Sequence, residues 1–122
     1  MIFSRAKTYQ LGRIGEHLVC ADLLFNDFEA FIVNDNSSPF DILLNINGKL
    51  WKVQVKTNLK PKCHWSTNGG KKRVNKVPSY NFNVSINGYK RQKKYNIGEI
   101  DIFALVGLES KTIAYLPFSA RN

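Results

Sequence analysis

The chain has 122 residues, a mass of 13.9 kDa and a formal net charge of +9, enough for one domain with a real core and too little for two. It contains no run of 18 apolar residues, and Met1 to Lys7 carry no apolar stretch before a small-residue cleavage site. Neither a membrane span nor a secretory signal is therefore expected, and the protein should be soluble and cytoplasmic. Two cysteines, Cys20 and Cys63, and two histidines are too few for a disulfide framework or for a four-ligand structural zinc site.

Residues 7 to 26 have helical periodicity. Leu11, Ile14, Leu18, Ala21 and Phe25 form one apolar stripe, while Gly12, Glu16, Val19 and Leu23 form a second on nearly the opposite side. Glu16 is the one charge in that second stripe. A carboxylate among apolar neighbours must be paired, metal-bound or partly protonated, but an exposed Glu beside Arg13 or His17 fits the position equally well. Gly12 and Gly15 each weaken a helix by up to about 1 kcal/mol, a cost that makes sense where something packs closely.

Residues 28 to 33 read as a strand and 34 to 39 as a loop. Two apolar runs then flank Asn47-Gly48, the dipeptide that accepts positive φ at both central positions of a type I′ turn. With Ile46 opposite Lys49, the register runs outward through Asn45 with Leu50 and Leu43 with Lys52 to Asp41 with Gln54. Side-chain alternation gives Ile42, Leu44, Ile46, Trp51, Val53 and Val55 one face. The other face receives Asp41, Gln54 and Lys56, the last on the diagonal at roughly 7–8 Å. An acid, an amide and an amine are thus expected to converge, although a merely polar hairpin face would carry the same types.

Beyond Thr57 the charge becomes one-sided. Residues 57 to 98 hold ten basic residues, Lys60, Lys62, Lys71, Lys72, Arg73, Lys76, Lys90, Arg91, Lys93 and Lys94, and no acidic one; the remaining eight basic and nine acidic residues nearly cancel. Such a segment is how a polyanion-binding surface is written in sequence. Residues 63 to 77 read as a loose loop with Gly69-Gly70-Lys71-Lys72-Arg73 as its most basic part. Residues 80 to 86 alternate as a strand, Asn87-Gly88 signals a turn, and Tyr89 to Tyr95 mixes cations with rings able to grip phosphates and stack on bases. An elongated basic hairpin or loop lying along a DNA groove is expected. Residues 100 to 106 and 112 to 117 close the chain as a hairpin, where Asp101 is expected to cap a strand edge rather than to bind metal.

Asp41, in Pro39-Phe40-Asp41, followed after twelve residues by Gln54-Val55-Lys56, resembles the signature of the PD-(D/E)xK nuclease superfamily. The resemblance is to the branch with Gln in place of the second acid, the small homing endonucleases found with group I introns. It runs from Gly12 to about Pro117, and Gly12-x-x-Gly15-Glu16 is similar to the family's first helix, whose Glu often reaches the metal site. The resemblance implies an α/β (α+β) fold, a restriction-endonuclease-like mixed β-sheet flanked by helix. One nuclease domain would span 1–122, with its core at 7–57 and 98–118 and a basic DNA-contacting insertion at about 58–97.

The resemblance further implies a metal-dependent, site-specific endonuclease acting on double-stranded DNA with Mg²⁺, for which Mn²⁺ could substitute. Its catalytic residues would be Glu16, Asp41, Gln54 and Lys56. Asp41, Gln54, the Val55 carbonyl and Glu16 would hold the metal, and the ten basic residues of the insertion would bind DNA. Two other readings stay open, a Holliday junction resolvase and a catalytically silent DNA-binding module, which the neutral Gln54 permits. One site cuts one strand, so a homo-oligomer, dimer or tetramer, is expected.

Overall fold

Asn47 and Gly48 both take positive φ, 53° and 85°, as the turn between two tightly paired strands demands. The turn joins β2 (Ile42–Ile46) to β3 (Lys49–Asn58), and the five pairs from Ile46 with Lys49 to Ile42 with Val53 follow the expected register. This hairpin is the centre of a five-stranded mixed sheet. The computed structural model describes residues 7–35, 37–62, 65–68, 71–74, 79–82 and 98–118. In chain order the elements are α1 (Thr8–Phe25), β1 (Glu29–Ile32), β2, β3, β4 (Trp65–Asn68), β5 (Lys71–Val74), β6 (Ile102–Gly107) and β7 (Thr112–Pro117).

The main sheet has the order β1-β2-β3-β6-β7. All neighbours in it are antiparallel except β3 and β6, which run parallel across the connection that carries the insertion. Parity sorts the two faces. Val19 and Leu23 of α1 pack with Ile42, Leu44, Val53, Val55, Ala104 and Val106 in the larger core, while Ile100, Phe103 and Phe118 form a smaller one with Leu105 and Leu116. Gln54 pairs in register with Phe103 and Lys56 with Leu105, so both polar side chains share the face of the smaller cluster, opposite α1.

The helix divides its more apolar stripe, with Leu11 and Ile14 packed against the core and the C-terminal part turned outward. Its buried residues are Gly15, Val19 and Leu23, whereas Leu18, Ala21 and Phe25 are exposed, Phe25 at 89%. Close approach decides the orientation. A Cβ added to Gly15 would sit 1.8 Å from Thr57 Oγ1, so only the side of the helix that lacks a side chain can rest on β3 at this distance.

In the insertion, residues 65–68 and 71–74 pair as a small antiparallel hairpin where the sequence suggested a loose loop; β-branched and aromatic residues beside Gly69-Gly70 explain it. The strand expected from Tyr80 is absent among the described residues, Tyr80 to Phe82 being irregular, and the rest of that stretch lies outside them. Tyr80 instead packs over Gly107, and its hydroxyl lies 2.8 Å from Ser110 Oγ, which ties the insertion to the β6–β7 turn. Among the described residues no helix is long and apolar enough to cross a membrane.

Candidate active site

The β2–β3 ladder ends at Ile42 with Val53. Asp41 does not continue it as a face-to-face partner of Gln54. Its backbone N–H donates to Val53 O (2.8 Å), and its own carbonyl accepts from Val33 N (2.8 Å). The Asp41 side chain turns into the plane of the sheet, where Oδ2 accepts the Val55 N–H at 2.9 Å. The carboxylate thus does the work that the next β2 carbonyl would have done. An extended residue points its N–H and C=O to the same side, so the Val55 carbonyl also faces the Asp41 side, beyond the end of β2.

A second aspartate brackets β3 in the same manner. Asp101 Oδ2 accepts the Lys52 N–H at 2.8 Å, and the Asp101 N–H donates to Lys52 O at 2.8 Å. It therefore caps a strand junction, as its place in the sequence suggested.

Glu16 comes from α1, on the other side of this edge. Its side chain is only 15% exposed, and Arg13 Nη1 lies 3.6 Å from its Oε1. Burial raises the Glu16 pKa first, and the negative charge of Asp41 raises it further, with Arg13 opposing. Two carboxylates separated by 25 residues of sequence thus sense each other's charge. Arg13 is itself held, donating from Nη1 to Asn34 Oδ1 at 3.1 Å, so the loop before Asp41 and the helix turn carrying Glu16 are joined.

The contact between Gly15 and Thr57 lies beside this pair, for Gly15 precedes Glu16 and Thr57 follows Lys56. Thr57 Oγ1 is buried with no hydrogen-bond partner among the described residues. Thr57 was not singled out in the sequence, although a helix glycine next to the candidate Glu was the signal for a close approach. Glu16 enters from the helix side and Asp41 lies in the sheet plane. Gln54 and Lys56 stand on the face away from the helix. The four sit around one sheet edge rather than on one face.

As a cation site this is a set of hard oxygens: two carboxylates, one amide oxygen and one backbone carbonyl. Among the described residues no group of three or more His, Cys, Asp and Glu comes together. Burial first and the Asp41 charge second disfavour an ionised Glu16; a divalent cation between the two carboxylates would offset both, so the residues present fit such an ion. With only two anions they suit one that keeps several of its own waters.

Further along β3 the strand runs into a cleft of about 490 Å³ lined by Asn58, Leu59, Lys60, Lys62, Ser79 and Asn81. Lys60 and Lys62, expected to bind DNA, stand at this cleft; Asn58, Ser79 and Asn81 were not singled out, since lone polar residues carry no pattern. Lys71, Lys72 and Arg73 lie on β5. Lys76, Lys90, Arg91, Lys93 and Lys94 lie outside the described residues.

Residues 6–122 match the model of a family described as PD-(D/E)XK endonuclease. Among solved structures the chain is similar to a bacterial homing endonuclease, I-Ssp6803I, with a TM-score of 0.62 over 94% of this chain and 72% of that one. The two are 16% identical, so this is a likeness of fold. No curated protein matches the sequence.

Proposed function

The chain belongs to the PD-(D/E)XK endonuclease family, and from that premise we propose that it hydrolyses phosphodiester bonds of double-stranded DNA at specific sites, dependent on Mg²⁺ or Mn²⁺. The observation that carries this reading is the Asp41 carboxylate held by the Val55 N–H at the end of β2, beside the strand that bears Gln54 and Lys56, with the mostly buried Glu16 within reach of its charge. Glu16 restores the second carboxylate that Gln54 does not supply.

Asp41, Glu16, the Gln54 side-chain oxygen and the Val55 carbonyl are the residues that would hold the cation. Bound there, it supplies positive charge against the phosphate and a more acidic water. The rest falls to the chain itself. Lys56 orients the attacking water and stabilises the charge that develops on the phosphoryl oxygens. The Val55 N–H fixes Asp41 Oδ2, so the carboxylate does not have to reorganise during the reaction. The basic insertion and the cleft at Lys60 and Lys62 hold the DNA backbone through phosphate contacts. One site cuts one strand, so cleavage of a duplex takes two copies on a roughly palindromic target, as a dimer or a pair of dimers.

The test is cleavage of supercoiled plasmid, a randomised duplex library and a synthetic four-way junction, each with Mg²⁺, with EDTA and with the Asp41→Asn variant. Mg²⁺-dependent cutting of the duplexes, lost in the variant, is the expected result. Preference for the junction would make the protein a resolvase. Tight, salt-sensitive binding without cutting any substrate would make it the silent binding module and overturn the proposal.

A further inference from the structure

The outer face of the last two turns of α1 is largely apolar and uncovered, with the exposed His17 at its border. Phe25 is 89% exposed, Leu24 53% and Leu18 40%, and Ala21 between them is exposed as well. Ala21, Leu24 and Phe25 line an open hollow of about 310 Å³. A helix that is apolar on both its buried and its outward sides is expected where something covers both.

We infer that this face is the contact between two copies of the chain, related by a two-fold axis passing near Ala21. Four features of the patch point to a second copy. The first is area. At ordinary side-chain sizes these residues leave roughly 350 Å² of apolar surface in water, most of the apolar share of the ~800 Å² that each partner gives to a stable interface.

The second is shape. Leu18, Ala21 and Phe25 recur at spacings of three and four, a stripe that is self-complementary under a two-fold axis. The small Ala21 lets the helix axes approach to about 8 Å, and the hollow beside it receives Phe25 of the other copy. The third is charge. On a chain of net charge +9, the last two turns of this face from Leu18 to Phe25 carry no basic side chain, with His17 and Arg13 in the turns before it, so two like-charged molecules meet here with little repulsion. The fourth is position. Nine residues separate Glu16 from Phe25, a turn of about 180° at 3.6 residues per turn, so the contact leaves the candidate site facing outward to DNA.

The inference gives a surface to the two-copy requirement proposed above, and the experiment separates the two. Sedimentation velocity of the full chain is run on wild type, Phe25→Asp, Leu24→Asp and Tyr9→Asp. Tyr9 is 66% exposed and lies about 160° around the helix from Phe25, so its variant is the control. The expected result is a mass of two chains for wild type and Tyr9→Asp. Phe25→Asp and Leu24→Asp should sediment as single chains with unchanged circular dichroism, their dissociation constant raised on the order of a hundredfold by the lost burial. Plasmid cutting by these two should shift from linear to nicked product. A wild-type dimer that survives both variants overturns this interface while the two-copy requirement stands. A wild-type single chain at all concentrations, with and without DNA, overturns both.

Discussion

Replacing Gly15 by Ala tests whether the helix is held where the proposed chemistry needs it. The new methyl carbon would meet Thr57 Oγ1 at 1.8 Å, Thr57 Cβ at 3.0 Å and Cγ2 at 3.1 Å. Rotating Thr57 about χ1 moves Oγ1 aside but leaves its Cβ close, so the helix or the strand must shift as well. Overpacking of this kind costs about 1–3 kcal/mol. Against that, removing a helix glycine returns up to about 1 kcal/mol. The net expectation is a loss of about 1–2 kcal/mol, or roughly 3–8 °C in Tm.

Thr57→Ala should be nearly neutral by itself, because the packing lost with its methyl group is offset by removing a hydroxyl that is buried without a hydrogen-bond partner among the described residues. In the double variant most of the loss should be recovered, a coupling of about 1 kcal/mol or more between the two positions. Thermal unfolding followed by circular dichroism measures the cycle. DNA cleavage should fall with Gly15→Ala and return in the double variant, since Glu16 moves with its neighbour. Equal destabilisation by Gly15→Ala in both Thr57 backgrounds, or none in either, refutes the reasoning.

Asp41→Asn keeps an oxygen for the Val55 N–H and loses only the charge, so cleavage should vanish at little cost in Tm. Asp41→Ala abandons that N–H as well and should lose a further ~1–3 kcal/mol; equal Tm values for the two variants would show that the carboxylate does not brace the strand. Lys56→Ala should abolish cleavage while leaving the DNA dissociation constant unchanged, because the amine acts on the transition state; parallel loss of both contradicts that role. Glu16 has a raised pKa in the fold, so its neutral form is favoured there. The stability it contributes is present below its unfolded pKa and lost as pH climbs through the raised folded value. In EDTA, Glu16→Gln should therefore raise Tm near pH 7, with the difference fading toward about pH 4; a lower Tm at neutral pH counts against it. Alanines at Lys71, Lys72 and Arg73 should each reduce the slope of log K against log salt by roughly 1, and an unchanged slope would remove that hairpin from the DNA contacts.

The central hairpin was legible in the sequence because a single dipeptide fixes its turn, and once the turn is fixed every pair follows from counting. The parallel partnership of β3 with β6 was not. Those strands meet across a connection of more than forty residues, and no local signal encodes a non-local pairing. Asp41 shows the same limit at the scale of one residue. Counting placed it opposite Gln54, but strand pairing stops where a side-chain oxygen can take the next N–H, and Pro39 two residues earlier cannot donate to a ladder. Counting put Asp41, Gln54 and Lys56 on one face of the hairpin, whereas Asp41 turns its side chain to the Val55 N–H, an arrangement that depends on where β2 ends.

The two stripes of α1 carry the most consequence. Both are apolar, and by hydrophobicity alone the stripe of Leu11, Ile14, Leu18, Ala21 and Phe25 has the stronger claim to the core, yet only Leu11 and Ile14 of it pack there. What outweighs it is the surface that must receive the helix. Thr57 extends toward α1 from β3, and Gly15 is the position that can lie against it. Turning the helix by about 180° would bury Phe25 but drive larger side chains onto Thr57 and carry Glu16 away from Asp41. The orientation that brings the second carboxylate to the sheet edge is therefore the one that leaves Leu18, Leu24 and Phe25 in water. The proposed carboxylate pair and the bare apolar face are two outcomes of one packing choice, so a change that turned the helix would disturb the proposed site and the proposed contact together.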